Sequence, residues 1–430
     1  MSTIYFYTLF DQSSKKPRCA GIKIGDKTIV YDLFRPGANK LLKTISSSLK
    51  KISNFLIESN DRGHDIVTSN FKSILTAYNL PIDKRHYNIY DVHIDTLGLI
   101  KPREGLDADT ILLNKILDKM ASSKHHSYQK LISNAAVVYQ DLQNTGLYIN
   151  DTIMHPEWSM MTFSGRSKSL GFNIQGYYEE HKIRTISSTT RDVLLHFDWV
   201  SADIRAASLM SGDDLLISSF DKSDPYTMMV DNIGGSITRD ECKLFLLKSI
   251  NSMSIHNNAI SEMFPKLDKW IQKCYEATRG EDGYLETLLH RRFKVANAKN
   301  SLAVLNGAMQ GSVAHAMQNV IRKVWEIFSI NIIAEIHDSI VLCVPNDSVV
   351  IRSIIDAVVP IMLYPFADLL DYNPSFPLRV SIGKNWKQWK LLEIHRSSGV
   401  ERVKGPRKTT KETEEKDKKV EETAKEDSEE

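Results

Sequence analysis

Residues 193–198 read Val-Leu-Leu-His-Phe-Asp and residues 331–338 read Asn-Ile-Ile-Ala-Glu-Ile-His-Asp, so two apolar stretches each end in an aspartate. Runs of this kind are typical of buried strands, and Ser339–Val344 continues the second as a hairpin partner. A single aspartate at a strand end is usually a turn residue. Two of them can meet at one sheet edge, where hard carboxylate oxygens suit the pair of Mg²⁺ ions used in phosphoryl transfer.

The pattern elsewhere predicts a chain of mixed helices and strands. In the first hundred residues we expect strands over Ile4–Phe10 and Ile22–Leu33 and an amphipathic helix over Leu41–Glu58. A helical pattern runs from Ala108 to Asn150. Beyond it, helices are predicted over 239–251, 264–279 and 294–328.

Asp198 opens a longer motif. Residues 198–213 read Asp-Trp-Val-Ser-Ala-Asp-Ile-Arg-Ala-Ala-Ser-Leu-Met-Ser-Gly-Asp, which closely resembles motif A of the family A (Pol I-like) DNA polymerases. Residues 336–339, Ile-His-Asp-Ser, resemble motif C of that family. Five further segments resemble other family motifs in the family's order: Ser164-Gly-Arg-Ser167, Asn173-Ile-Gln175, Tyr284-Leu-Glu-Thr287 with Arg291-Arg292, Asn306-Gly-Ala-Met-Gln-Gly-Ser312 and Gly383-Lys-Asn-Trp386. The resemblance covers slightly more than half of the chain.

The resemblance implies a fold class of α/β and α+β type. An RNase H-like, exonuclease-type domain over residues 1–125 is expected to precede a polymerase palm, an antiparallel sheet with helical fingers, over residues 158–392. Residues 126–157 are expected to form a helical connector in place of a thumb, because they leave no room for a hairpin that wraps a duplex. Residues 393–430 are predicted to be a disordered charged tail, with one charged helix over 409–430 as the alternative.

The same resemblance implies the roles of individual residues. Asp198 and Asp338 would ligate two catalytic Mg²⁺ ions, which Mn²⁺ can replace, with a backbone carbonyl near Trp199 assisting. Asp203 stands where the family has the glutamate that excludes a ribose 2′-hydroxyl. Nucleotide contacts are therefore expected from Trp199 and Asp203.

Four residues are expected to contact DNA. Asn306 and Gln310, at i and i+4 on one helix face, would face the minor groove of the template–primer duplex. Arg166 would contact the primer strand, and His337 would position the primer end. Ordinary helix capping or solvation is the alternative interpretation of Asn306 and Gln310.

The predicted fingers helix matches the family less well. Arg239 and Lys243 lie four residues apart and hence on one face, which suits the phosphates of an incoming nucleotide. At the two later positions where the family has aromatic residues, this sequence has Leu247 and Asn251. A second register, starting at Lys248, places Ser252 at the first aromatic position. An ordinary surface helix with scattered cations remains the alternative.

Other departures bear on substrate and proofreading. Asp203 replaces a glutamate, and Ser339 follows the His-Asp pair where the DNA polymerases have glutamate, which is similar to the related single-subunit RNA polymerases. In the N-terminal domain the Asp-x-Glu pair of an exonuclease is absent from the first strand, and Ser73 stands where a further aspartate is expected. Only Asp91 has a counterpart. Two-metal excision needs several carboxylates, so we expect no proofreading.

Composition sets the outer limits. The chain has 430 residues and a formal net charge of +2. This charge excludes a surface that is basic throughout, as in a histone, but allows a local basic cleft. Its four cysteines form no CxxC pair and indicate reduced thiols. No secretory leader or long apolar run is evident, so we expect an intracellular, cytoplasmic protein with no membrane partner. A viral or plasmid-encoded gene fits this compact build.

The sequence therefore predicts a template-directed DNA polymerase that extends a primer 3′-hydroxyl without proofreading. Its partners would be a primed DNA template, deoxynucleoside triphosphates and an accessory protein that supplies the thumb or processivity function. Two alternatives stay open: an RNA polymerase or primase-like nucleotidyltransferase, and a catalytically degenerate DNA-binding subunit of a replication complex.

Overall fold

The computed structural model describes most of the chain after residue 126 and shorter segments before it. The described residues are 4–10, 17–24, 26–32, 42–61, 66–68, 80, 89–91, 127–149, 152–160, 162, 164–171, 173–176, 183–184, 192–234, 236–251, 258–280, 283–295, 301–328, 332–385 and 389–403. Within these segments no helix is both long and apolar enough to cross a bilayer.

The N-terminal part contains a mixed five-stranded sheet in the order β3-β2-β1-β4-β5. Its elements are β1 (Ile4–Phe10), β2 (Pro17–Ile24), β3 (Lys27–Asp32), helix α1 (Leu42–Asp61), β4 (Ile66–Thr68) and β5 (Ile89–Asp91). β2 is antiparallel to β1 and β3, whereas β4 is parallel to β1 and β5. The single strand predicted over Ile22–Leu33 is therefore the end of β2 plus β3, because Ile24 turns back to pair with Lys27.

A buried helix, α2 (Ser127–Thr145), links this sheet to the rest of the chain. Its apolar face, including Ala135 and Val138, is fully buried. Gly146 ends it with a φ of +68° and donates its N–H to the Leu142 carbonyl at 3.0 Å, a conformation that favours glycine. Five short strands follow: β6 (Leu147–Ile149), β7 (Thr152–Met154), β8 (Glu157–Ser159), β9 (Lys168–Leu170) and β10 (Ile183–Arg184). Residues 108–126 of the predicted helical stretch lie outside the described segments.

An antiparallel six-stranded sheet forms the centre of the molecule, in the order β14-β15-β11-β16-β17-β18. Its strands are β11 (Asp192–Trp199), β14 (Ile332–Ile336), β15 (Ser339–Pro345), β16 (Leu378–Gly383), β17 (Lys390–Arg396) and β18 (Gly399–Arg402). Leu195 and Phe197 of β11 are fully buried, and a C-terminal helix, α10 (Ser348–Leu363), packs on the sheet through Val358 and Met362.

Between β11 and β14 the chain is mostly helical. The elements are α3 (Ala202–Ser211), α4 (Asp214–Lys222), α5 (Pro225–Ile233), α6 (Arg239–Asn251), α7 (Asn258–Met263), α8 (Pro265–Arg279), the hairpin β12 (Tyr284–Glu286) and β13 (Arg292–Lys294), and α9 (Ser301–Phe328). The predicted helix over 294–328 thus begins later, because Lys294 pairs with Tyr284 in the hairpin. Gly212 (φ +64°) ends α3 and Asp213 caps α4, accepting the Leu216 N–H at 3.1 Å.

The boundary predicted for the disordered tail is wrong for residues 393–403. These residues complete β17 and form β18, an added edge of the central sheet. Glu393 and His395 are buried there because they pair with each other at 2.9 Å, and Arg352 of α10 reaches Glu393 at 2.6 Å. Residues 404–430 lie outside the described part of the chain.

Candidate active site

The structure brings together the two aspartates that end the apolar strands. β11 and β15 are antiparallel neighbours with Asp198 opposite Ser339, and the Trp199 N–H donates to the Asp338 carbonyl at 3.2 Å. Asp338 lies in the tight β14–β15 turn, where His337 adopts a φ of +59°. Asp198 and Asp338 therefore lie at the same end of the central sheet, at adjacent positions of the backbone.

Burial and mutual repulsion shape the electrostatics of this pair. Burial raises the pKa of Asp198 to about 6, against the opposing effect of Arg379. The pKa of Asp338 rises to about 7 because of burial and the negative charges of Asp198 and Asp203, with Arg166 opposing the rise. Near neutral pH, binding of a cation or a proton therefore stabilises this pair of carboxylates, because it neutralises their charge.

The donor set at this end of the sheet fits Mg²⁺. Among the described residues there is no cluster of three or more acidic, histidine or cysteine side chains that could hold a metal ion. Two carboxylates suffice for Mg²⁺, since it usually takes one or two protein carboxylates and completes its shell with water and substrate phosphate oxygens. Burial is the main cause of the raised pKa of both Asp198 and Asp338, and a bound cation would lower both values again.

We expect the stability of the metal-free protein to fall as pH rises through this region. The Asp338 carboxyl has a pKa of about 7 when folded and about 3.9 in an unfolded chain. Between those values the folded state binds more protons, so the free energy of unfolding falls as pH rises. D338N should raise the melting temperature in EDTA at about pH 8 and leave it unchanged at about pH 4. A difference between variant and wild type that is independent of pH would contradict the assignment.

Arg166 lies on a tightly held loop beside the aspartates. Its Nη2 contacts Asp203 Oδ1 at 2.7 Å, and its Nε is buried with no hydrogen-bond acceptor in the described structure. Gly165 has a φ of +82°, and a Cβ there would collide with the Arg291 guanidinium. Gln318 Nε2 donates to the Gly165 carbonyl at 3.0 Å. The loop thus holds the Arg166 guanidinium against Asp203.

Two other residues predicted to contact DNA lie near this loop. His337 lies in the β14–β15 turn, and the partial enclosure of its ring, together with the positive charge of Arg166, lowers its pKa. Gln310 of α9 is partly buried, next to Gly311, whose Cβ would lie 3.0 Å from the Ser164 carbonyl oxygen. Asn306 lies one turn earlier on α9; its side chain is outside the described structure.

The basic pair of α6 takes two different environments. Arg239 Nε contacts Asp224 Oδ2 at 3.1 Å, and its guanidinium lies 5.2 Å from the centre of the Tyr226 ring. Lys243 is exposed one turn further along the same face. Tyr226, from α5, is almost fully buried and hydrogen bonds with Ser201, two residues before Asp203. Arg239 is therefore ordered in advance, and Lys243 is free to move.

Sequence reasoning missed two features of this region. One is Tyr226, whose ring lies against Arg239 although it belongs to another helix, α5. The other is Glu335, a buried carboxylate that accepts hydrogen bonds from Tyr139 and Ser167. Glu335 is the single polar residue of β14 (Ile-Ile-Ala-Glu-Ile), and that break in an apolar strand was a usable signal.

The structure describes only some of the residues on which the exonuclease prediction depends. Asp91 ends β5, next to Thr68 of β4, but its side chain and Ser73 are outside the described structure. The RNase H-like assignment of the N-terminal sheet stays a prediction.

Similarity to known proteins is found at the level of the fold and not of the sequence. No protein-family model matches the chain, and no curated protein matches its sequence. Among solved structures it is similar to the POL domain of Pol1 from M. smegmatis, described in complex with DNA primer-template and dNTP. The TM-score is 0.57 at 12% sequence identity, over 90% of this chain and 96% of the other. The chain shares the fold of that domain. The predicted antiparallel sheet with surrounding helices is thereby confirmed.

Proposed function

We propose that the chain is a template-directed DNA polymerase that adds nucleotides to a primer 3′-hydroxyl. The observation that carries the proposal is the pairing of Asp198 with Asp338 at one end of the central sheet, in a fold similar to that of the Pol1 domain. The neighbour's complex with primer-template and dNTP supports the same partners here.

Asp198 and Asp338 are the proposed ligands of two Mg²⁺ ions, with Mn²⁺ as a substitute, assisted by the carbonyl of Trp199. When bound, the ions would lower the pKa of the primer hydroxyl and neutralise the triphosphate. The chain itself would supply the acceptor oxygens, because Asp198 ends β11 and Asp338 lies in the adjacent β14–β15 turn, tied to β11 by the Trp199 N–H.

Binding of the nucleotide is assigned to α6 and to the segment after β11. The charges of Arg239 and Lys243 suit the triphosphate, and Asp203, held by Arg166 at 2.7 Å, would face the sugar. Leu247 gives α6 no ring for stacking at the first aromatic position. Tyr226 offers a ring beside Arg239, hydrogen bonded to Ser201.

Binding of the primed template is assigned to Arg166, Gln310, Asn306 and His337. Arg166 and Gln310 are brought together because Gly311 lets α9 approach Ser164 closely. Amide and guanidinium donors on this surface suit the minor-groove acceptors N3 and O2, which are present at every base pair. The contacts would therefore hold the duplex without reading its sequence.

We further propose that the N-terminal sheet is an exonuclease-type, RNase H-like domain that does not excise nucleotides. Its mixed five-stranded sheet supports the fold, and the missing Asp-x-Glu pair argues against excision. An accessory protein would supply the thumb or processivity function, with α2 as the connector at that point of the chain.

A second candidate function is RNA synthesis. Asp203 is shorter than the glutamate of the resembling family, Ser339 follows the His-Asp pair, and α6 carries leucine at the first aromatic position. A shorter carboxylate without its aromatic partner would weaken exclusion of a ribose 2′-hydroxyl, and the serine after His-Asp is similar to the related single-subunit RNA polymerases. The third candidate, a degenerate DNA-binding subunit, would require binding of primed DNA without extension.

The test is primer extension by purified full-length protein in Mg²⁺, on one primed DNA template, with dNTP and NTP pools in parallel. We expect extension with dNTPs and a smaller rate with NTPs. Faster extension with NTPs would favour RNA synthesis. Binding of the primed template without extension in either pool would favour the degenerate subunit.

A further inference from the structure

A fully enclosed carboxylate lies directly behind the candidate active site. Glu335 of β14 is 2% exposed, and its Oε2 accepts a hydrogen bond from the Tyr139 hydroxyl at 3.1 Å and another from the Ser167 hydroxyl. Gln175 bridges the same two residues, because its Nε2 donates to the Ser167 carbonyl at 3.2 Å and to the Glu335 carbonyl at 3.5 Å. Three separate parts of the chain thus meet at one side chain.

An ordinary core residue would be more favourable here. Burying a carboxylate is costly even with hydrogen bonds, and an apolar residue of the same volume is often neutral or stabilising. Burial raises the pKa of Glu335 to about 7, and the hydroxyls of Ser167 and Tyr139 and the charge of Arg166 oppose that rise. The presence of a carboxylate at this buried position is therefore explained by the residues that it holds in place.

What it holds is the loop that carries Arg166. The backbone on the N-terminal side of that loop is fixed by Gln318, which donates to the Gly165 carbonyl at 3.0 Å. Thr162 Oγ1 donates to the Arg166 carbonyl at 2.6 Å. The C-terminal side is fixed through Ser167, by Glu335 and Gln175. Without the Glu335 carboxylate, Ser167 loses its direct hydrogen bond to β14, the strand that leads into His337 and Asp338, and keeps only the indirect link through Gln175.

We propose that Glu335 is a positioning residue for primer binding. Through Ser167 it fixes the loop that presents Arg166 to the primer strand, and through Tyr139 it docks α2 on the strand that leads to Asp338. This inference rests on the proposed function, because it takes Arg166 to be a primer contact.

The test compares two replacements of Glu335 in the full-length protein. Glu335→Gln keeps the shape and one acceptor oxygen, and since both hydroxyls bond to the same atom, both hydrogen bonds persist. Glu335→Met keeps the length but removes the acceptor. Equilibrium binding of a fluorescein-labelled primed DNA duplex is measured by anisotropy without nucleotide. We expect E335M to raise the Kd about tenfold and E335Q to stay within about twofold of wild type.

A double-mutant cycle shows whether the effect passes through Arg166. In an R166A background E335M should weaken duplex binding by less than about twofold, because the contact it positions is already gone. An equal loss in both backgrounds would overturn the proposal, as would unchanged binding in E335M. If E335M does not fold, S167A removes the same hydrogen bond from a smaller side chain and carries the same expectations.

The matched control lies on the same sheet. Glu393 of β17 is also a buried carboxylate, paired with Arg352, His395 and Arg402. β17 is four strands from β14, about 19 Å at the usual strand spacing. E393M should lower the melting temperature without weakening duplex binding. If E393M weakens binding as much as E335M, Glu335 is merely structural.

The binding assay separates this inference from the proposed function. Failure to extend any primer, with the expected E335M and R166A effects on binding, would overturn polymerase activity and leave Glu335 as a positioning residue. Normal extension by wild type, with E335M binding DNA like wild type, would overturn the inference alone.

Discussion

Replacing Asp338 with asparagine should lower kcat for primer extension in Mg²⁺ by about a thousandfold, which is about 4 kcal/mol of transition-state stabilisation. Asn keeps the shape of the side chain but supplies one neutral oxygen, a poor ligand for a divalent cation. Asp338 lies in the β14–β15 turn beside the end of β11, where Asp198 lies, so D198N should have a similar effect. Rapid-quench measurement of single-nucleotide addition at saturating dNTP gives kcat directly.

The two aspartates should behave as one unit. The double variant is expected to be about as slow as either single variant, since residues that act together are strongly non-additive. Duplex binding should be unchanged or tighter, because a negative charge near the phosphates is removed. Asp347→Asn is the matched control: Asp347 caps α10 away from the site, and asparagine caps a helix equally well. More than about a tenth of wild-type kcat in D338N would rule out the metal assignment.

The sequence was sufficient for the parts of the fold that depend on local pattern. The apolar runs that end in Asp198 and Asp338 predicted strands, and Ser339–Val344 was predicted as the hairpin partner of the second run. That partner is β15, which pairs with β14 and also with β11. The leucine and isoleucine spacing of 41–58 predicted α1. In these segments the buried face repeats at the period of the element, so the sequence carries the necessary information.

Prediction failed where long-range pairing decided the outcome. Residues 393–403 are polar by composition, yet β17 and β18 form because Glu393 finds Arg352 on α10. The hydrogen bonds of Glu335 join residues 168 and 196 positions apart, a distance over which local pattern carries no information. Tyr226 reaches Arg239 from another helix for the same reason.

The sequence alone leaves open the register in which α6 matches the fingers helix of the family. One candidate register starts at Arg239 and the other at Lys248, and both are basic residues. The structure places Lys243 and Lys248 both on the exposed surface of α6, and five residues of helix separate them by about 140°. Arg239 and Lys248 are nine residues apart and hence on opposite faces, about 180° around the axis. Only one of these faces can meet the triphosphate.

We therefore expect Arg239→Gln to raise the KM for dNTP by about fiftyfold, with a smaller change in kcat. Arg239 is already ordered by Asp224 at 3.1 Å and by the Tyr226 ring, so little side-chain entropy is lost when it binds a phosphate. Lys243→Gln should raise the KM by about tenfold, because that exposed side chain must be ordered on binding. Lys248→Gln removes an equal charge from the opposite face and should change the KM by less than about twofold. Steady-state single-nucleotide addition measures all three, and a larger effect from K248Q than from R239Q would establish the register that begins at Lys248.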